Sequence, residues 1–115
     1  MRNVLFWMTI FNQLKEMEKI FKYELQITDE QNIAMPSGSR ILSVQEQSGN
    51  LCLWAVVEEK NTCRDRKIWI LGTGNSLPGG LRTFSYDAPS GYTADFIGTV
   101  QASNGLVWHI FSIFS

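Results

Sequence analysis

At 115 residues the chain has the length of one domain, and either half of it would be too small to bury a core of its own. Its 10 basic and 11 acidic residues leave a formal charge of −1, which argues against a protein that holds nucleic acid chiefly through phosphates, although a local basic patch stays compatible with that total. The balance also falls far short of a DNA mimic, and 44% hydrophobic with 18% charged residues is the composition of a globular protein.

Val4 to Phe11 is an apolar run too short to span a bilayer, and no small-residue cleavage site follows it. Val4, Trp7, Met8, Phe11 and Leu14 recur at helical spacing, so residues 1–17 read as an N-terminal extension or amphipathic helix ahead of a single β domain over 18–115. A translation start at Met17 is the alternative, because a self-contained β pattern begins at Lys19. Ile20 to Ile27 then alternates, with Phe21, Tyr23, Leu25 and Ile27 on one side and Lys22, Glu24 and Gln26 on the other, as in a half-buried strand. Thr28 to Gln31 is expected to start a helical turn capped by Thr28 or Asp29, and Pro36-Ser37-Gly38 to end it.

Arg40–Gln47 and Asn50–Glu58 read as a hairpin across Ser48-Gly49, which pairs Leu42 with Ala55, Val44 with Leu53 and Glu46 with Leu51. A second hairpin across Lys60-Asn61 brings back Arg64 to Leu71, pairing Leu53 with Ile68 and Leu51 with Ile70. Both registers gather Leu42, Val44, Leu51, Leu53, Ala55, Val57, Ile68 and Ile70 on one face, where a one-residue slip would scatter them. They also place Cys52 opposite Trp69 and Cys63 opposite Glu58, so no disulfide joins the two cysteines and free thiols suit a reducing compartment. From Gly72 to Thr93 the chain reads as a long loop carrying Gly72, Gly74, Gly79, Gly80 and Gly91 with Pro78 and Pro89, in which Arg82 to Tyr86 could form a short edge strand. A last hairpin across Asn104-Gly105 pairs Val100 with His109 and Gly98 with Phe111, and collects Phe96, Val100, Val107, Phe111 and Ile113 on one face. The expected fold is therefore mainly β: a small antiparallel sandwich or barrel of about six strands in three hairpins, with a short N-terminal helix as an optional addition.

No catalytic, metal or cofactor set can be assembled. His109 is the single histidine and falls on an apolar strand, where one satisfied hydrogen bond explains it. Gly72-Thr73-Gly74 lacks the third glycine and the Lys-Ser/Thr that a phosphate loop needs. Glu58, Glu59, Asp87 and Asp95 stand in turns or at strand ends, where solvated carboxylates are ordinary, and neither cysteine has a ligand-like neighbour. More suggestive is the face opposite the aliphatic one, where the register assembles Ser43, Gln45, Cys52, Trp54, Lys67 and Trp69. With Arg64 and Arg66 beside it and Arg82, Tyr86 and Tyr92 in the loop, it is a candidate partner-binding surface. The competing reading lays the N-terminal helix or the long loop over Trp54 and Trp69 as a second core layer.

IFKYEL at 20–25, ITDEQ at 27–31, MPSG at 35–38, ILSVQEQ at 41–47, LCLWAVV at 51–57, GTG at 72–74, FIGTVQ at 96–101 and LVWHIF at 106–111 together resemble a family of small phage and prophage proteins of unknown function. The likeness runs in order from Glu18 to Phe111 and is weakest over 75–95. Members of that family begin near the equivalent of Met17 and often carry a histidine after the GTG, where this chain has Asn75, so no site residue is carried over. The resemblance implies a phage-derived gene product in the bacterial host cytoplasm. It makes a non-enzymatic inhibitor of a bacterial defence system, of the anti-CRISPR kind, the leading expectation, with a host or phage protein as partner and no membrane. A small-ligand or nucleic-acid binding module using Trp54, Lys67 and Trp69 is the alternative, with nucleic acid not favoured by net charge. A minor virion component or oligomeric structural protein, such as a homodimer joined through open strand edges, is the third.

Overall fold

The computed structural model describes residues 18–77 and 93–114. In chain order the strands are β1 (Glu18–Glu24), β2 (Glu30–Pro36), β3 (Arg40–Gln47), β4 (Asn50–Glu58), β5 (Cys63–Gly72), β6 (Thr93–Gln101) and β7 (Val107–Phe114). They form two antiparallel sheets, β1-β4-β3 and β2-β5-β7-β6, stacked as a sandwich. The sheets do not close into a barrel, and no helix occurs among the described residues. The N-terminal amphipathic segment and the short strand expected at Arg82 to Tyr86 lie outside the described residues.

Thr28–Gln31 does not start a helical turn; it leads into β2. The Gln31 side chain closes the bend instead: its Oε1 accepts from the Gln26 amide at 3.0 Å and its Nε2 donates to the Gln26 carbonyl at 2.6 Å. Glutamine can offer both halves of a backbone pair, so an extended chain satisfies the corner without a helix. The alternation of the first strand holds as far as Leu25, which is buried, while Ile27 lies beyond the strand end and stays 53% exposed.

The hairpin across Ser48-Gly49 forms as expected. Ser48 at φ 52° and Gly49 at φ 84° both adopt the left-handed conformation that a two-residue turn of this hand demands, and Val44 lies opposite Leu53 and Glu46 opposite Leu51. The second hairpin does not form. β4 lies between β1 and β3 in one sheet, and β5 lies between β2 and β7 in the other. Cys52 consequently pairs with Glu24 and Gln45 rather than Trp69, and Cys63 with Pro36 rather than Glu58. Both thiols are free.

The reason is a pair of matched corners. Pro36 removes a ladder donor and Gly38 takes φ 82°, so the chain turns out of β2 there. The polar stretch after Glu58 turns the partner arm at the same level. The two corners are tied together: the Ser37 amide donates to the Thr62 carbonyl at 2.9 Å, and Asn61 Nδ2 donates to the Ser37 carbonyl at 2.8 Å. Residues 30–72 are thus one long hairpin folded over on itself, with β3 and β4 in one layer and β2 and β5 in the other. Leu53 and Ile68 face each other across the layers instead of lying side by side.

That folding preserves the inward set almost whole. Val44, Leu51, Leu53, Ala55, Val57, Ile68 and Ile70 all enter the main core, joined by Leu25, Met35, Val100 and Ile110. Full burial of a side chain such as Leu53 or Ile110 contributes roughly 1.5–3 kcal/mol. Leu42 is the exception, 53% exposed because β3 bulges there and Ile41 takes its expected place opposite Ala55.

The last hairpin is in a different register from the one expected. Only Gly105, at φ 89°, is left-handed in its turn, so the loop is Ser103-Asn104-Gly105 and not the two-residue kind. Gly105 donates its amide to the Ala102 carbonyl at 3.0 Å, and Ala102 donates to the Leu106 carbonyl at 2.8 Å. One extra loop residue moves Val100 opposite Trp108 and Gly98 opposite Ile110, and brings Thr99 opposite His109. Val100 and Ile110 therefore enter the main core, whereas Phe111 and Ile113 join Leu71, Ala94 and Trp69 in a second apolar cluster on the other face of the four-stranded sheet. β5 and β6 run in the same direction with β7 between them, so the link between them is a crossover.

Candidate functional site

The two sheets meet along one side through their edge strands β3 and β6. At one end the approach is tight. A Cβ on Gly98 would stand 3.3 Å from Val44 Cγ1, so the absence of a side chain lets the edges close up. Glu46 fastens them, accepting from the Ser103 amide at 2.7 Å and from the Ser103 hydroxyl at 2.8 Å. Charge-assisted bonds of this kind are short and about twice as strong as neutral ones.

Toward the other end both edges bulge, β3 at Leu42 and β6 at Ile97. Bulges bend a strand and re-aim its side chains, and here they part the sheets. The resulting cleft has a volume of about 640 Å³, within the range of ordinary ligand sites. Leu42 and Phe96 flank it, and they keep 53% and 41% of their surface in solvent. Phe96 is braced from behind by Phe111, ring centroids 5.4 Å apart and tilted by 57°, a favourable aromatic geometry.

Arg66 forms the floor. It occupies the inward-facing row of β5 that Ile68 and Ile70 continue, so the core ends in a guanidinium. That group donates to the Ser39 carbonyl at 2.9 Å and to Ser112 Oγ at 3.4 Å, and both serines are buried. Ser39 Oγ in turn donates to the Pro36 carbonyl. Arg66 therefore ties the β2–β3 corner to β7 while lending the cleft a positive base. Arg40 and Asp95 complete the lining, and Arg40 also lies 3.6 Å from Glu18, both ends well exposed.

The tryptophan face expected from the sequence is divided. Trp54, Gln45, Ser43 and Cys52 lie on the outer side of the three-stranded sheet, where Trp54 pairs with Lys22 and Ser43. Lys67 and Trp69 lie on the outer side of the four-stranded sheet. Both tryptophans are half-buried, and with two layers about 10 Å apart between them they face away from each other. Lys67 Nζ is 3.0 Å from Glu30 Oε1. The Trp69 indole nitrogen is buried without an acceptor among the described residues. Arg64 is exposed at the start of β5, Arg66 lines the cleft, and Arg82, Tyr86 and Tyr92 lie outside the described residues. Among the described residues of the expected surface, only Arg66 contributes to the cleft.

His109 sits half-buried on the outer side of the four-stranded sheet, its Nε2 2.8 Å from Thr73 Oγ1 and its Nδ1 2.9 Å from Thr99 Oγ1. Two hydroxyls can serve either tautomer, so the ring is satisfied by neutral partners. The serines of the cleft are bonded to a carbonyl and a guanidinium, neither of which is a general base. Among the described residues no group of three or more His, Cys, Asp or Glu could hold a metal ion, and no helix is long and apolar enough to cross a membrane. The cleft presents apolar walls, strand edges and a guanidinium held by Ser39 and Ser112.

Sequence reasoning missed Arg40, Leu42, Asp95, Phe96 and Ile97 as site residues. Bulges leave no mark on hydrophobic alternation; they merely interrupt it, and an interruption in an apolar run such as Phe96-Ile97 goes unseen.

A family model described as a domain of unknown function (DUF7352) matches residues 17–113. The chain belongs to this family. The match covers β1 to β6 and β7 as far as Ile113, with both bulges, so the cleft lies wholly inside the family domain. No curated protein and no solved structure matches the chain.

Proposed function

We propose that this member of the family is a non-catalytic protein-binding module that receives part of its partner in the cleft between Leu42 and Phe96. The observation that carries the reading is the opening itself: two large apolar side chains held half in solvent on either side of a cleft whose floor is rigidly bonded. Leaving such side chains in water forgoes burial worth roughly 25 cal/mol per Å², and association recovers it. Large apolar side chains and arginines that lose water on association are the usual anchors of an interface. Selection of displayed random peptides on the immobilised protein tests the reading. Peptides that bind the parent and not a Leu42→Asp, Phe96→Ser double variant support it; peptides that bind both equally, or no enrichment, refute it.

The resemblance to small phage and prophage proteins supports a bacterial host protein, met in the host cytoplasm, as that partner, and a component of antiviral defence in particular. Phage survival on defence-positive hosts tests that choice. Expression of the parent chain raises survival and expression of the double variant does not; equal survival with either refutes it.

A further inference from the structure

We infer that the occupant of the cleft is an extended stretch of polypeptide, held through its backbone by the edges of β3 and β6. The inference rests on the binding reading above and specifies its mode. Among the described residues β3 and β6 are each the last strand of a sheet, paired on one side only, with β4 and β7 respectively. No ladder joins the two edges among the described residues. Where Gly98 meets Val44 and Glu46 binds Ser103, the edges come into contact, and the hollow of about 440 Å³ beside them is lined mainly by the polar Gln45, Glu46, Thr99 and Gln101. Between Arg40–Leu42 and Asp95–Ile97 they diverge, and the cleft opens between them.

Any partner seated there removes water from edge amides and carbonyls, and each one left unpaired costs roughly 1–3 kcal/mol. A folded apolar surface or a compact small molecule covers those groups without answering them. An extended backbone presents N–H and C=O at the strand's own spacing and answers them one for one, which is the mode of strand addition. Its side chains alternate, so every second residue meets Leu42, Phe96 and Ile97 and is apolar, while those between face solvent or the Arg40–Asp95 rim. Edge strands are commonly blunted by lysine, proline or a bulge. Here the two bulges face one another and part the edges.

The test takes a peptide from the selection described above and the same peptide N-methylated at alternate residues, which deletes backbone donors and keeps the side chains. Binding is followed by amide chemical shifts of the full chain. The expected result is shifts concentrated in residues 40–43 and 94–98 and at least a tenfold affinity loss in both N-methylation registers, because alternate amides of the peptide face β3 and β6. Shifts at those residues with the unmethylated peptide's affinity retained in either register overturn two-edge strand addition and leave the cleft-binding reading standing. Shifts confined to Trp54, Trp69 or another surface overturn both.

Discussion

Leu42 and Leu53 show how much a single position in the chain is worth. Leu53 is fully buried at the centre of the sandwich, and Leu53→Ala should cost about 2–5 kcal/mol, measured by denaturant unfolding. Leu42, two positions from the core residue Val44 on the same strand, should accept Asp with a change within about 0.5 kcal/mol, while peptide binding is lost. Glu46 is the polar counterpart. Its two bonds to Ser103 join the sheets, so Glu46→Ala should lower stability by about 1–3 kcal/mol and loosen the closed end of the β3–β6 seam. Tyr23 sets a pH dependence. Burial, with a smaller push from Cys63, raises its phenol above the ordinary value of 10.0. The folded state thus holds the proton more tightly than the unfolded chain, so its contribution is intact below pH 10 and is lost as pH rises through the raised value. Tyr23→Phe should flatten that alkaline decline in a pH series of melting curves.

At the scale of elements, alternation correctly assigned seven of the eight side chains on the aliphatic face of β3, β4 and β5 to the interior and said nothing about how those strands pair. Side-by-side strands and stacked strands bury the same alternate residues, so hydrophobic period alone cannot separate a flat three-stranded sheet from a hairpin folded in two. A local signal did exist: Pro36-Ser37-Gly38 and Lys60-Asn61-Thr62 lie at nearly equal distance from the Ser48-Gly49 tip, and matched polar corners on both arms mark a fold in a long hairpin. The last hairpin failed for a different reason. Asn-Gly supports either a two-residue turn or a three-residue loop with glycine in the left-handed position, and the bonds from Glu46 to Ser103 favour the second by holding the extra residue. Two glycines then have distinct jobs. Gly105→Ala should cost about 1–2 kcal/mol through its left-handed φ of 89°. Gly98→Ala, in extended backbone, should act through the Val44 contact instead and shift the amide resonances of both edge strands.

Across the whole molecule, the sandwich class and its interior were legible because they depend on side-chain period. The site was not, because it depends on how two sheets far apart in sequence meet at their edges. The tryptophan surface dissolved once β4 and β5 fell into separate layers, since Trp54 and Trp69 then point to opposite sides. What remains is one seam, fastened at Glu46 and open at Leu42 and Phe96, and the account stands on that opening being where a partner enters. Blocking it is the most direct measurement. In a Cys63→Ser background, Leu42→Cys modified with a bulky maleimide fills the cleft mouth, and Ile20→Cys modified in the same way loads the outer side of the three-stranded sheet. The account predicts that the selected peptide no longer binds the protein modified at position 42 and binds the one modified at position 20 as it binds the parent. Undiminished binding with position 42 blocked would contradict it.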